Sequence, residues 1–387
     1  MLQDHSILRI PGPTPIPPSV NQAMSQAMVG HRSEAFKHLL SRVAPRLKPI
    51  FGTNQDVLIL TSSGTSALEA AVVNAVKEDD EVLVLVTGSF GDRFVKICEA
   101  YGIKVHRYDT TWGNAVQPEE LKEVLQQHPQ VSAVFATYCE TSTGVLNPIE
   151  DLSKVIKQES DALFIVDGVS CVGAVEAQMD DWEIDILVTG SQKAFMLPTG
   201  LSFVGVSPRA WEAIENNPRP RFYLDLRKYQ SQLEQNATPF TPGVSLIFGL
   251  EKVLDLLEAE GLDQVYRRHQ TMKNMTRAAC QALGLPLLTD DKAASPTVTA
   301  IKPETFAADD LRNVMRQSFS ITLAGGQNHM KGHIFRIGHM GYCSPLDVLQ
   351  CISALECALV ELGDDITLGQ GVAAAQEVYI HDLQNTR

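Results

Sequence analysis

A small set of residues in this chain has the type and spacing to do chemistry, and each has a plainer structural reading beside it. Gly190-Ser191-Gln192-Lys193-Ala194 follows the apolar run Asp185 to Thr189 and precedes Phe195-Met196-Leu197. A lysine held at a strand end among apolar neighbours is desolvated, which lowers its pKa and leaves a nucleophilic amine able to form a Schiff base. A lone lysine can equally be a surface residue whose stem lies along apolar neighbours. Asp167 ends the apolar run Leu163-Phe164-Ile165-Val166. A carboxylate placed there could hold a cationic ring nitrogen, or it could simply close a turn. Thr61-Ser62-Ser63-Gly64-Thr65-Ser66 lies between a strand-like run and a helix-like one. Hydroxyls and free backbone N–H groups at a helix N-terminus suit a phosphate, although the same residues also make an ordinary N-cap. The stretch is neither a Walker loop nor a dinucleotide Gly-x-Gly-x-x-Gly. Arg336 sits inside Ile334-Phe335-Arg336-Ile337-Gly338. If buried, its guanidinium fork suits a carboxylate; on an edge strand it would face water.

The elements that must position these residues alternate. Ser33 is an N-cap before Phe36, Leu39, Leu40, Val43 and Leu47, which repeat at helical spacing. Short apolar runs at 56–61, 81–87, 104–108, 131–137, 162–167 and 185–189 read as strands, separated by helical patterns at 67–76, around Phe94 to Tyr101, and from Pro118. Near-continuous Val, Ile and Leu is what parallel strands covered on both faces require, so this part is an α/β sheet. Ligands of such sheets bind outside the carboxyl ends of the strands. From about residue 243 the pattern changes to long helices at 244–260 and 262–283, a strand at 297–301, a helix at 308–318, a strand at 333–337 and a helix at 346–362. That reads as a smaller α+β domain. Residues 11–18, Pro-Gly-Pro-Thr-Pro-Ile-Pro-Pro, read as an extended, polyproline-like arm that excludes helix.

Composition bounds the function. The chain has 387 residues, enough for two or three domains and a large core. Its 46 Asp and Glu outweigh 32 Lys and Arg, a net charge of −14, which argues against nucleic acid and anionic membranes as partners. The seven cysteines are an odd number without a Cys-x-x-Cys pair, the pattern of reduced thiols rather than a disulfide framework. No apolar run approaches a membrane span, and the N-terminus lacks the pattern of a secretory signal, so a cytoplasmic location is expected. His329-x-x-x-His333 has metal-like spacing, but Gly332 and the strand-like residues after it argue against one helix face, and no metal is expected.

An amine, a ring-nitrogen carboxylate, a phosphate cradle and a carboxylate clamp are together what pyridoxal 5'-phosphate chemistry needs. The chain also resembles the class V aminotransferases of pyridoxal-phosphate fold type I, close to alanine–glyoxylate and serine–glyoxylate aminotransferases. The stretches that carry the resemblance are Pro11-Gly12-Pro13-Thr14, Gly30-His31-Arg32-Ser33, Ser63-Gly64-Thr65-Ser66-Ala67-Leu68-Glu69-Ala70, Glu140-Thr141-Ser142-Thr143-Gly144-Val145, Asp167-Gly168-Val169, Gly190-Ser191-Gln192-Lys193 and Phe335-Arg336-Ile337-Gly338. They occur in the family's order and span nearly the whole chain.

The resemblance implies a large domain with a mostly parallel seven-stranded sheet and a smaller α+β C-terminal domain. It divides the chain into an arm at 1–20, a cofactor-binding domain at 21–270 and a small domain at 271–387. It implies that Lys193 bears the cofactor and moves the proton, and that Asp167 keeps the ring nitrogen protonated. Gly64, Thr65 and Gln192 would contact the phosphate, and Ser63 would also bind the cofactor. Phe90 would stack on the ring, where relatives often have Trp. Ser142 would lie beside cofactor and substrate, and Arg336 with Gly12 would bind the substrate. Thr65 stands where some relatives have His. Thr241, in Thr238-Pro239-Phe240-Thr241, would reach the phosphate of a neighbouring subunit in a homodimer with shared sites.

Three readings follow. The first is an aminotransferase moving an amino group to glyoxylate, with alanine as donor because a single carboxylate clamp is evident; serine or an aminophosphonate are the alternatives. The second is a lyase on the same fold, such as a cysteine desulfurase, although Gln192 stands where those enzymes carry His and only Cys343 lies near a Gly-rich turn. The third is a non-catalytic binding protein.

Overall fold

The computed structural model describes residues 6–385. Its principal sheet has seven strands in the order Val57–Leu60, Ser202–Val206, Ile186–Gly190, Leu163–Asp167, Ala133–Thr137, Glu81–Val86 and Lys104–Asp109. Every pairing from Ile186–Gly190 to the Lys104–Asp109 edge is parallel, and Ser202–Val206 runs antiparallel to both of its neighbours. Side chains alternate between faces with period two. Leu83, Leu85, Val134, Ala136, Phe164, Val166 and Leu187 enter one core, while Val82, Val84, Val86, Phe135, Ile165 and Val188 enter the other. Helices cover both faces, which is why these strands carry no polar register.

Local signals set the covering helices. In Glu34–Val43 the Ser33 hydroxyl accepts from the Phe36 amide, and Phe36, Leu39, Leu40 and Val43 form the buried stripe. Strand Val57–Leu60 runs in the same direction as Ile186–Gly190, because each is antiparallel to Ser202–Val206. Its carboxyl end, where helix Gly64–Ala75 begins, therefore lies on the same edge as Asp167 and Gly190. The folding of the sheet thus gathers three stretches spread over more than a hundred residues of sequence.

A second, four-stranded sheet has the order Ile7–Arg9, Ile321–Gly325, Phe335–Gly338 and Val298–Ile301. It packs with helices Leu262–Ala282, Ala308–Phe319, Pro345–Glu361 and Gln370–Gln384 around a separate core. Helix Pro345–Glu361 opens on a reciprocal capping box between Ser344 and Asp347, with Pro345 in the first turn. Helix Leu262–Ala282 contributes Val265 to the large core and Met272 to the small one, so the change of core near residue 270 falls inside a helix and not at a linker.

The N-terminal segment differs from a plain polyproline arm. Ile7–Arg9 pairs in parallel with Ile321–Leu323, and a helix begins at Pro18 inside the proline-rich stretch. Proline is well suited to a first helical position, where its missing N–H has no partner to lose. The first five residues of the expected arm lie outside the described residues. No helix among the described residues is long and apolar enough to cross a membrane.

Candidate active site

Lys193 occupies the turn after strand Ile186–Gly190 and is only 9% exposed. The turn is fixed from several sides. Ser191 Oγ donates to the Pro198 carbonyl at 2.7 Å, Thr14 Oγ1 donates to the Lys193 carbonyl at 2.9 Å, and the Thr14 amide donates to the Gln192 carbonyl at 3.1 Å. The Lys193 ammonium donates to the Pro11 carbonyl. Gly12 lies against the side chain at a φ of +105°, and a Cβ there would stand 2.5 Å from Lys193 Cδ. Burial lowers the lysine pKa to about 8, with Arg336 and Arg93 pushing the same way. The amine is therefore substantially neutral in mildly basic solution.

Asp167 ends the adjacent parallel strand and is 3% exposed. One carboxylate oxygen accepts from the Val169 amide at 2.8 Å. Burial raises its pKa to about 6, an environment that rewards a cationic partner. Both groups line one cavity of about 210 Å³, together with Gly12, Pro13, Ser63, Gly64, Thr65, Phe90, Arg93 and Gln192.

The cavity has an anion-seeking end. Helix Gly64–Ala75 starts there without a side-chain cap, and among the described residues the amides of Gly64 and Thr65 donate to no acceptor. Gln192 Oε1 is buried and has no partner among the described residues. The backbone approaches closely as well: a Cβ on Gly190 would stand 3.3 Å from Gly64 Cα, and one on Gly64 would stand 2.9 Å from a Val169 methyl. A carboxylate, a desolvated amine, a flat aromatic wall and free amides at a helix N-terminus are the donor set that pyridoxal phosphate requires, so the residues fit that group.

Ser142 and Arg336 lie outside this lining. Ser142 is fully buried; its hydroxyl donates to Glu140 Oε1 at 2.5 Å and accepts from the Ser89 amide at 3.0 Å. Arg336 is 5% exposed, and its strand is interior to the small sheet, which removes the edge-strand reading. Its Nε and Nη2 donate to the Gly325 carbonyl at 2.9 and 2.7 Å, and Nη1 donates to the Thr141 carbonyl at 2.7 Å. Among the described residues it has no carboxylate within ion-pair distance, and burial lowers its pKa to about 10. A cation held by carbonyls alone keeps its charge for a ligand. Thr241 is exposed and does not line the cavity of its own chain.

Two residues given no role from sequence stand out. Glu140 is fully buried and accepts from the Ser142 amide and hydroxyl, the Phe90 amide at 3.0 Å and the Gly91 amide at 3.1 Å. It thereby joins the Thr141–Ser142 turn to the start of helix Ser89–Ala100, which carries Phe90. A carboxylate ending the apolar run Ala133–Cys139 was the available signal. Arg93 lies one turn after Phe90 and so shares its face. His329 packs against Trp112 with the rings tilted by 54° and their centroids 4.2 Å apart, and among the described residues no three His, Cys, Asp or Glu side chains form a possible metal set.

Comparison with known proteins places this geometry. The family model for class V aminotransferases matches residues 8–343. A protein named soluble hydrogenase, small subunit, from Synechococcus sp. is 45% identical, over 97% of this chain and 99% of its own length. An L-aspartate–glyoxylate aminotransferase from Paracoccus denitrificans is 37% identical over 96% of this chain and 95% of its own. The crystal structure of pyridoxamine–pyruvate aminotransferase from Mesorhizobium loti, 30% identical, superposes with a TM-score of 0.94 over 98% of both chains. With its parallel sheet and strand-end lysine and aspartate, the chain belongs to the class V aminotransferases, enzymes of fold type I that depend on pyridoxal phosphate.

Proposed function

We propose that this enzyme moves the amino group of a small amino acid, alanine, to glyoxylate. The observation that carries the reading is the pairing, in one cavity, of a buried amine whose pKa is lowered to about 8 with a buried carboxylate and an uncapped helix start. Glyoxylate as acceptor is supported by the activity named for the Paracoccus relative. Alanine as donor is supported by Arg336, a buried arginine with only carbonyl partners, as the one evident grip for a single carboxylate.

In this reading Lys193 carries the cofactor and, once displaced, moves a proton at the substrate Cα. Pyridoxal phosphate supplies the electron sink that makes breaking that Cα–H bond affordable. Asp167 holds the ring nitrogen in its protonated form, and Phe90 covers the ring. Gly64, Thr65 and Gln192 hold the phosphate, and Ser63 lines the cofactor site. Ser142 orients the ring and substrate, Gly12 leaves room beside the lysine, and Arg336 binds the carboxylate. Thr241 completes the phosphate site of a second subunit in a homodimer. The division into an arm at 1–20, a cofactor-binding domain at 21–270 and a small domain at 271–387, and a cytoplasmic location, belong to the same proposal.

The test is a donor panel at fixed glyoxylate. L-Alanine should give pyruvate and glycine faster than L-serine, L-aspartate or an aminophosphonate gives its products. No pyruvate from alanine refutes the donor. Sulfide release from L-cysteine faster than any transamination moves the enzyme to the lyases.

A further inference from the structure

We propose that Arg93 supplies the fixed positive charge that pairs with the cofactor phosphate, and that Thr65 holds it in place for that purpose. The inference rests on the pyridoxal phosphate reading of the cavity and adds a residue to it.

Arg93 lines the cavity. Its guanidinium carbon sits 4.6 Å from the centroid of the Phe90 ring, and Nη1 donates to Thr65 Oγ1 at 3.1 Å. The two contacts place a planar cation between the aromatic wall and the first turn of helix Gly64–Ala75. Among the described residues Arg93 has no carboxylate partner. Its neighbour Asp92 is engaged by Lys96 at 2.7 Å and by Arg107 at 2.9 Å. The guanidinium therefore retains donors and a full charge beside the free amides of Gly64 and Thr65.

Charge accounting gives this position its purpose. A phosphate monoester carries about 1.5 to 2 negative charges near neutral pH, and a helix N-terminus offers about half a positive charge. Lys193 is committed to the carbonyl end of the cofactor. Arg336 is held by the carbonyls of Gly325 and Thr141, on the small sheet. Arg93 is the full charge left over at the helix end of the cavity. Its contact with Thr65, and not with an acid, keeps it aimed there without neutralising it. The assignment also explains how a site with two arginines can still serve a donor with one carboxylate.

The experiment compares wild type, Arg93→Gln and Arg93→Lys, each freed of cofactor and checked by circular dichroism and thermal melting. Dissociation constants are measured by absorbance titration for pyridoxal 5'-phosphate and for pyridoxal, which lacks the phosphate. Arg93→Gln should weaken pyridoxal phosphate by about 10- to 100-fold, the worth of a charge-assisted hydrogen bond. Pyridoxal should change by less than about 3-fold, and Arg93→Lys should recover part of the loss, because charge without the fork is retained. Equal weakening of both ligands overturns the proposal, since Arg93 would then act through the Phe90 platform. Unchanged phosphate-ligand affinity with a raised KM for L-aspartate alone overturns it too and assigns Arg93 to a donor's second carboxylate. A wild-type protein that binds neither ligand refutes the cofactor reading itself, a result distinct from the other two.

Discussion

The desolvated amine of Lys193 has a thermodynamic signature that does not depend on catalysis. Its pKa is lowered from 10.5 to about 8, mainly by burial, at 9% exposure. A base whose pKa is depressed by folding costs stability wherever the folded protein must keep it protonated. Below pH 8 both states bind the proton, and the folded state bears the whole penalty. Between pH 8 and 10.5 the folded amine is neutral while the unfolded one is still charged, so the unfolded state binds more protons and stability rises with pH. The displacement corresponds to roughly 3 kcal/mol at pH 7 and about 1 kcal/mol at pH 10. Cofactor-free wild type should therefore gain about 2 kcal/mol over this interval relative to Lys193→Met, which keeps the stem and removes the charge. Urea denaturation of both proteins at the two pH values, followed by circular dichroism, measures the double difference, and every other titrating group is common to the pair. At pH 7 Lys193→Met should be the more stable protein, and the gap should close toward pH 10. A gap that stays constant to within about 0.5 kcal/mol would refute the desolvation argument, and with it the physical basis for a readily deprotonated amine in the site.

Other perturbations follow from the same geometry. Arg336→Lys should raise KM about 10-fold for every carboxylate substrate, because the fork that fits a carboxylate becomes a point charge, while affinity for pyridoxal phosphate stays unchanged; equal KM values would remove Arg336 from the site. Glu140→Gln turns one acceptor of a four-donor cluster into a donor and should destabilise the protein by roughly 2–3 kcal/mol, read as a lowered melting temperature; an unchanged melt would show that the cluster does not hold the start of helix Ser89–Ala100. Gly12→Ala places a methyl 2.5 Å from Lys193 Cδ at a φ of +105°, and should reduce the visible absorbance of bound cofactor in the purified enzyme. Full absorbance would mean that the arm yields at little cost.

The elements that carried the site were legible because their signals are local. Asp167 and Lys193 follow unbroken apolar runs, and the rule that ligands sit at the carboxyl ends of strands brings them together without a structure. Other strands were hidden by their own composition. Ser202–Val206 contains a serine and a glycine, and Ile7–Arg9 is a three-residue edge strand. Short edge strands take their stability from the neighbour they pair with, here Ile321–Leu323, and that neighbour is remote in sequence. The extended reading of the proline-rich arm stopped short at Pro18 for a similar reason. A single proline is compatible with either state, and packing decides between them.

Polar partnerships were the least legible layer, because they depend on which donor faces which acceptor across the fold. The sequence shows an arginine in an apolar strand. It does not show that three of its hydrogen bonds go to the carbonyls of Gly325 and Thr141 and, among the described residues, none to an acid. The same holds for net charge. Acidic residues exceed basic ones by 14, which would suggest a site hostile to anions. Around the cavity the placement of individual charges matters more than the total. Burial pushes Asp167 up to about 6 and raises Glu140 as well, an environment that rewards a cation beside them. Arg336 remains cationic even when lowered to about 10, and among the described residues Arg93 forms no ion pair with an acid. The proposed site for a phosphate and a carboxylate can thus sit inside a strongly acidic protein, because its two arginines are, among the described residues, not paired with an acid.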